Sequence, residues 1–149
     1  MSDQAIAAKG ACLCGNVTYV ASVKPNAGAC HCGMCRKWSA GPFMSVHVDG
    51  QVTFMGEQNI SVFHSSKWAE RGFCKVCGSN LYYKLLPRPG YPNGELNLSA
   101  GSITEQDGLV FDHEVFVDHA PSWYHFADQT SRQRMTEAQL LAQFELADE

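Results

Sequence analysis

The sequence has no long hydrophobic run and no cluster of basic residues. No stretch approaches the roughly 18 consecutive apolar residues that a membrane-spanning helix needs, and residues 1–10 lack the apolar centre of a secretory signal. The net charge is −4, so the basic surface that nucleic-acid-binding proteins present to phosphates is missing. We therefore predict a cytoplasmic protein with no membrane-spanning segment and no nucleic-acid partner.

Repeats, low-complexity blocks and long linkers are also absent from the sequence. A chain of 149 residues can bury one core, and its 45% hydrophobic and 17% charged residues fit a compact domain rather than a disordered chain. We expect a short tail at residues 1–9, a domain at residues 10–128, and a helical extension at residues 129–149 that packs on the domain.

Short runs of alternating or β-branched residues predict a fold built mainly from strands in small antiparallel sheets. Pro87, Pro89 and Pro92 mark a loop, because proline cannot donate a hydrogen bond to a strand ladder. One helix is predicted near the C-terminus, where Thr136 can cap the first turn and Gln139 completes a capping box. The predicted strands cover residues 16–22, 43–48, 52–55, 60–65, 71–74, 81–85, 95–99 and 110–117, with a turn between the second and the third.

Cysteine, in contrast, is abundant and clustered. The odd number of cysteines and the predicted cytoplasmic location argue against a disulfide framework, and clustered thiols in a reducing compartment are typical of metal binding or catalysis. The seven cysteines form three groups, which are Cys12 with Cys14, Cys30 with Cys32 and Cys35, and Cys74 with Cys77.

The first and last groups together offer four thiolates, the complete ligand set of a structural zinc. Cys74 and Cys77 form a Cys-x-x-Cys motif, Cys12 and Cys14 form a Cys-x-Cys motif, and each motif is followed by glycine. Glycine suits a tight metal-binding turn, because the backbone there often adopts a positive φ. The sequence therefore predicts a structural zinc that joins two distant segments and stabilises the fold.

An alternative is a single zinc ribbon that uses only the two Cys-x-x-Cys motifs, with the other three cysteines in the core. The separation between these motifs is far longer than the roughly 15–20 residues usual in such ribbons. This alternative also leaves the Cys12–Cys14 pair unexplained. We favour two zinc sites per chain.

The middle group, Cys30, Cys32 and Cys35, offers three thiolates and leaves a fourth coordination position open. Catalytic zinc usually has three protein ligands and an open position. Three thiolates weaken zinc as a Lewis acid, so hydrolysis by a bound hydroxide is disfavoured. A soft site of this kind suits a substrate thiol, whose thiolate form is the nucleophile. The predicted chemistry is the formation or cleavage of a carbon–sulfur bond.

Other residues are weaker candidates for the site. Trp38 and Phe43 could line a substrate pocket, and Arg71 could bind a substrate carboxylate, although core or surface positions explain these residues equally well. We expect His31, which lies between two ligand cysteines, to point away from the metal. The other histidines occur singly in strand or loop sequence, which is more typical of packed or surface residues than of metal ligands.

The cysteine groups lie within longer motifs that resemble one family. The motifs are GACLCGNV at 10–17, CHCGMCRKW at 30–38, RGFCKVCGS at 71–79, AGS at 100–102 and HEVFV at 113–117, followed by Trp123. Together they resemble the glutathione-dependent formaldehyde-activating enzyme family, which includes the centromere protein V domain, over residues 10–128. Because His113 opens the last motif, it is the best candidate for an acid–base residue.

The resemblance implies a zinc-stabilised fold of the beta-tent type and two zinc ions per chain. The implied ligands are Cys12, Cys14, Cys74 and Cys77 for the structural zinc and Cys30, Cys32 and Cys35 for the catalytic zinc. The implied reaction is the condensation of formaldehyde with glutathione to S-hydroxymethylglutathione, which is formally carbon–sulfur lyase chemistry.

The chain departs from the family pattern outside the cysteine motifs. Asp112 precedes His113 where many relatives have proline, and SITE at 102–105 replaces a leucine–aspartate pair after Gly101. These departures bear on the substrate rather than on zinc binding. The leading function is a lyase that acts on a small-molecule thiol and a small aldehyde, and the alternative is a non-catalytic zinc-scaffolded protein-interaction module. A third function, a nucleic-acid-associated zinc protein, is disfavoured by the acidic net charge. We also allow for a homodimer.

Overall fold

The computed structural model describes residues 4–127 and 131–148, so the predicted boundary at residues 128/129 lies outside the described residues. Short 3-10 turns lie at Glu57–Asn59, Ala100–Ser102 and Val117–His119. The strands are β1 (Ile6–Ala11), β2 (Thr18–Cys30), β3 (Phe43–Met55), β4 (Ile60–Phe63), β5 (Ala69–Cys74), β6 (Asn80–Leu85), β7 (Glu95–Ser99), β8 (Val110–Val115) and β9 (Gln133–Met135), and the helices are α1 (Gly33–Ser39) and α2 (Glu137–Asp148).

The prediction of a mainly β fold with a C-terminal helix is confirmed. The strands form one nine-stranded sheet in the order β4-β5-β6-β7-β3-β2-β8-β9, and β1 pairs with β2. Most pairings are antiparallel, but β8 pairs in parallel with both β2 and β9. Strand β2 accommodates two partners along one edge, because β1 pairs with residues 18–23 and β8 with residues 26–30.

Several strands are longer than the sequence pattern predicts. Strands β2 and β3 each contain 13 residues, and β3 joins the two segments predicted at 43–48 and 52–55. The predicted turn at Asp49 and Gly50 is an irregularity in the β2–β3 ladder, where the register shifts between Ala21 and Val23. Residues 6–9, predicted as part of a tail, lie in β1. Pairing with a long neighbouring strand explains both differences, because the partner supplies hydrogen bonds that local sequence does not reveal.

Helix α1 was not predicted, because its seven residues are too few for a helical hydrophobic pattern. Cys32 caps it by accepting a hydrogen bond at Sγ from the Cys35 N–H, and Ala40 ends it in the left-handed conformation with φ 63°. The capping box at α2 is confirmed, because Thr136 and Gln139 exchange side-chain-to-backbone hydrogen bonds of 2.9 and 3.2 Å. Neither described helix has the length and apolar content of a membrane span.

The two faces of the sheet differ in chemistry. Side chains alternate between faces along a strand, and directly opposed residues share a face. One face packs as the core, and its buried residues include Tyr19, Val46, Leu81 and Leu98. On the other face, most of the paired residues across neighbouring strands are polar, and we call this face the polar face. This polar face carries Gly28 and Cys30 of β2, Phe43, Ser45 and His47 of β3, Asn97 and Ser99 of β7, Tyr83 of β6 and Arg71 of β5.

Candidate metal centres

Four cysteines from two distant turns meet beside the core. Cys12 follows β1 and Cys74 ends β5, and each begins a tight turn in which a glycine N–H bonds to its carbonyl oxygen at 3.2 or 2.7 Å. Both glycines, Gly15 and Gly78, have φ of +81°, a conformation that glycine adopts without steric cost. The two turns differ in length by one residue, but each ends at a glycine of positive φ directly after the second cysteine.

The sulfur atoms of this four-cysteine cluster fit a tetrahedral metal ion. Zinc–sulfur bonds of about 2.3 Å in tetrahedral geometry place sulfurs about 3.8 Å apart. The Sγ–Sγ distance is 3.6 Å from Cys12 to Cys14 and 3.8 Å from Cys14 to Cys74, and all four Sγ atoms lie within 4.8 Å of one another. Hydrogen bonds from Ser79 lower the pKa of Cys77 to about 5. At Cys14 a hydrogen bond from Asn16 is outweighed by partial burial and the neighbouring thiols, which raise the pKa to about 11. The four cysteines could hold a metal ion as thiolates.

The three-cysteine cluster lies where β2 passes into α1. Cys30 is the last residue of β2, Cys32 caps α1, and buried Cys35 lies in its first turn. Their Sγ atoms lie within 4.8 Å of one another. Hydrogen bonds from the thiols of Cys30 and Cys35 lower the pKa of Cys32 to about 2, and the same contact raises that of Cys30. Three thiolates this close repel one another, so the cluster suits a soft cation.

The three residues predicted to contact substrate are brought together beside Cys35. The Arg71 side chain is 3% exposed, and its guanidinium lies 5.0 Å from the Trp38 ring centroid and 4.7 Å from that of Tyr83. Its Nη1 donates to Cys35 Sγ at 3.5 Å. Phe43 packs on Trp38 with a centroid distance of 5.2 Å. Arg71 is thus enclosed against the cluster rather than presented at the surface.

His113 lies on β8 at the polar face of the sheet. Its Nδ1–H donates to Asp112 Oδ1 at 2.6 Å, and Asp112 Oδ2 accepts a hydrogen bond of 2.7 Å from Asn26. The imidazole lies over Gly28, where a Cβ atom would come within 2.0 Å of His113 Nε2. Gly28 and Cys30 share this face because they are two residues apart on one strand. A groove of about 340 Å³ is lined by Lys24, Asn26, His47, Asp112, His113 and Gln133.

His31 turns away from the sulfurs, as expected. One ring nitrogen pairs with Glu114 at 2.8 Å and the other with the Tyr124 hydroxyl at 2.9 Å. Neither Glu114 nor Asp112 is a candidate from sequence alone, because their importance arises from partners far away along the chain. The only local signal is that each flanks His113.

Comparison with known proteins agrees with this arrangement. Residues 7–119 match the sequence model of the glutathione-dependent formaldehyde-activating enzyme family. The chain is also similar to a Schizosaccharomyces pombe protein described as an uncharacterized lyase, with 33% identity over 126 residues that cover 83% of this chain and 88% of the relative. The matched residues include both cysteine clusters. The chain therefore belongs to the glutathione-dependent formaldehyde-activating enzyme family.

Proposed function

We propose that this protein is a zinc-dependent lyase that forms or cleaves the carbon–sulfur bond between a thiol such as glutathione and a small aldehyde such as formaldehyde. Membership of the family and the description of the yeast relative as a lyase support this type of reaction. The observation that carries the proposal is the three-cysteine cluster, whose three sulfurs lie within 4.8 Å at one end of a polar sheet face.

The donor set accounts for the choice of a thiol. Zinc held by Cys30, Cys32 and Cys35, when bound, supplies a soft Lewis acid that favours the thiolate form of a substrate thiol. Three thiolates and a divalent cation leave one excess negative charge, and the buried guanidinium of Arg71 offsets it. Arg71 thereby favours the approach of a further anionic sulfur.

The reaction also needs a proton at the aldehyde oxygen. The thiol first releases its proton. When the thiolate sulfur bonds to the carbonyl carbon, the π electron pair moves to the oxygen, which then takes up a proton. In the reverse reaction the oxygen loses this proton, the carbon–sulfur bond breaks, and the free thiol and the aldehyde are restored. We assign the proton transfer to His113, whose Nδ1–H is bound by Asp112 and whose ring lies on the same face as Cys30. Asp112 holds the tautomer in which Nε2 carries the lone pair.

The four-cysteine cluster has a structural role in this proposal. Its ligands come from turns after β1 and β5, which are separated by 60 residues between Cys14 and Cys74. A metal ion held there would tie these turns together and contribute to folding free energy. We place the protein in the cytoplasm, where its seven cysteines, all free in the structure, stay reduced.

The test combines zinc content with reaction rate. Glutathione and ¹³C-formaldehyde are mixed with enzyme, and NMR exchange spectroscopy measures how fast S-hydroxymethylglutathione forms and breaks down above the uncatalysed rate. We expect two zinc ions per chain and accelerated exchange. Cys35→Ser should leave a folded chain with one zinc ion and no acceleration, whereas the matched variant Cys77→Ser should lower the melting temperature.

Two results would contradict the proposal. A wild-type chain that retains one zinc ion after zinc is supplied and the protein is desalted would mean that the three-cysteine cluster holds no metal. A chain with two zinc ions that neither binds glutathione nor accelerates exchange would point to the alternative, a non-catalytic zinc-scaffolded interaction module.

A further inference from the structure

The backbone and ring of His31 are fixed at every polar atom. His31 lies between two cysteines of the three-cysteine cluster, and its side chain is 2% exposed. Its N–H donates to Val115 O at 3.2 Å, and its carbonyl oxygen accepts from Arg36 Nε at 2.9 Å. Nε2–H donates to Glu114 at 2.8 Å, and in that tautomer the Tyr124 hydroxyl donates to Nδ1 at 2.9 Å.

Glu114 is the buried centre of this arrangement. Its side chain is also 2% exposed, and its second carboxylate oxygen accepts from Arg132 Nε at 3.0 Å and Arg134 Nε at 3.3 Å. Burial raises the pKa of Glu114, but hydrogen bonds from His31 and Arg132 outweigh burial and hold it below its usual value. The Arg132 guanidinium also covers the Phe111 ring, 4.5 Å from its centroid.

The two arginines come from the C-terminal segment, beyond the residues that match the family. The match ends at residue 119, whereas Arg134 lies in β9 and Arg132 directly before it. Strand β9 pairs with β8 so that Arg134 is opposite Glu114. Two successive contacts therefore connect the C-terminal segment to the three-cysteine cluster. Arg132 and Arg134 bind Glu114, and Glu114 binds His31, which lies between Cys30 and Cys32.

We propose that Glu114 is a positioning residue of the three-cysteine cluster. Arg132 and Arg134 of the C-terminal segment fix Glu114, Glu114 fixes His31, and the metal affinity of the cluster thereby depends on the C-terminal segment. The inference rests on the proposed function, because it takes the three-cysteine cluster to be a metal site. His31 cannot rotate while Glu114 and Tyr124 hold its two nitrogens, so Cys30 and Cys32 keep their spacing. Partners that hydrogen-bond directly to the ligands of a metal site typically change metal affinity by about 10–100-fold. Glu114 contacts His31 rather than a ligand, so we expect the low end of this range.

The experiment compares the two clusters within one molecule. Wild type and Glu114→Gln are loaded with Co²⁺, and competition with a chelator gives the affinity of each cluster while the cobalt absorption bands report its geometry. The matched control is Glu137→Gln. The side-chain carboxylate of Glu137, also in the C-terminal segment, pairs with His119 at 3.1 Å, but this pair lies at the surface. Metal content of the wild type is measured first, since a single ion per chain would contradict the proposed function and this inference together.

With two ions in the wild type, the variants decide the inference alone. We expect Glu114→Gln to lower the Co²⁺ affinity of the three-cysteine cluster by about tenfold and to shift its cobalt bands. The four-cysteine cluster of this variant, and both clusters of Glu137→Gln, should be unchanged. An unaltered affinity and spectrum for the three-cysteine cluster would overturn the proposal. A purely structural role would lower the melting temperature without changing these bands.

Glu114→Gln removes the buried negative charge that faces Arg132 and Arg134, and the variant can fail to fold. In that case Tyr124→Phe, which removes the hydrogen bond at the other nitrogen of His31, and Arg134→Gln, which removes the more exposed of the two arginines, carry the test. Weaker binding at the three-cysteine cluster alone in either variant supports the proposal, and wild-type binding in both overturns it.

Discussion

Arg71 donates a hydrogen bond from its buried guanidinium to the Cys35 sulfur across 3.5 Å. The same strand, β5, ends three residues later at Cys74, a member of the four-cysteine cluster. Strand β5 thus carries both Arg71, the cation beside the three-cysteine cluster, and Cys74, a member of the four-cysteine cluster. The guanidinium packs against the rings of Trp38 and Tyr83 and is buried, so its charge is weakly screened by solvent.

Removing this charge should weaken thiol binding. Arg71→Met keeps an apolar side chain between the two rings but leaves the excess negative charge of the cluster uncompensated. Two unit charges about 6 Å apart at an effective dielectric constant of about 20 interact by about 3 kcal/mol, so the affinity for the glutathione thiolate should fall by at least about tenfold. Titration calorimetry with zinc-loaded protein measures it, and Arg71→Lys should recover part of the loss.

Exposed Lys67, four residues before Arg71, provides the control for this substitution. Lys67→Met removes one positive charge from the surface, where solvent and salt screen it, and glutathione affinity should stay unchanged. Equal losses in both variants would show that net charge matters rather than the contact with Cys35.

Gly28 should be required for activity because the His113 ring occupies the space of its missing side chain. A Cβ atom at residue 28 would lie 2.0 Å from His113 Nε2, so Gly28→Ala must displace the ring from its position beside Asp112. General acid–base catalysis typically contributes 10²–10⁴-fold, and we expect the exchange rate to fall by about 10²-fold with two metal ions retained. Gly41→Ala is the matched control, since no atom lies within 4 Å of its added Cβ.

An exchange rate for Gly28→Ala equal to that of wild type would remove His113 from the proton-transfer role. His113→Gln provides a second measurement, because it removes the titratable ring without crowding Gly28. The two variants should have similar rates if the position of the ring is what matters.

The capping box of α2 should contribute to stability and not to the metal site. Thr136→Ala removes the acceptor of the Gln139 N–H, and loss of such a cap costs about 1 kcal/mol. Urea denaturation with both metal ions bound measures the free energy of unfolding. Thr104→Ala, at an exposed threonine outside any helix, should change it by less than about 0.5 kcal/mol. A change in metal content for Thr136→Ala would mean that α2 supports a cluster directly.

The sequence by itself determined the features that depend on neighbouring residues. The two tight cysteine turns require a glycine immediately after each motif, and the capping box requires Thr136 and Gln139 three residues apart. The division of seven cysteines into groups of four and three agrees with the two clusters of sulfur atoms. In each case the geometry follows from spacing within a few residues, which the backbone restricts to few conformations.

The tertiary structure decided which residues that are distant in sequence lie on the same face of the sheet or contact one another. His31 and Glu114 are 83 residues apart in sequence, and Cys35 and Arg71 are 36 apart. These contacts depend on the register of the sheet, since a shift of one residue in β8 or β5 would move the side chain of Glu114 or Arg71 to the opposite face. Strand pairing, which depends on the whole chain, places three features of the site. They are the Arg71 charge beside the three-cysteine cluster, the His113 ring over Gly28, and the contact of Glu114 with His31.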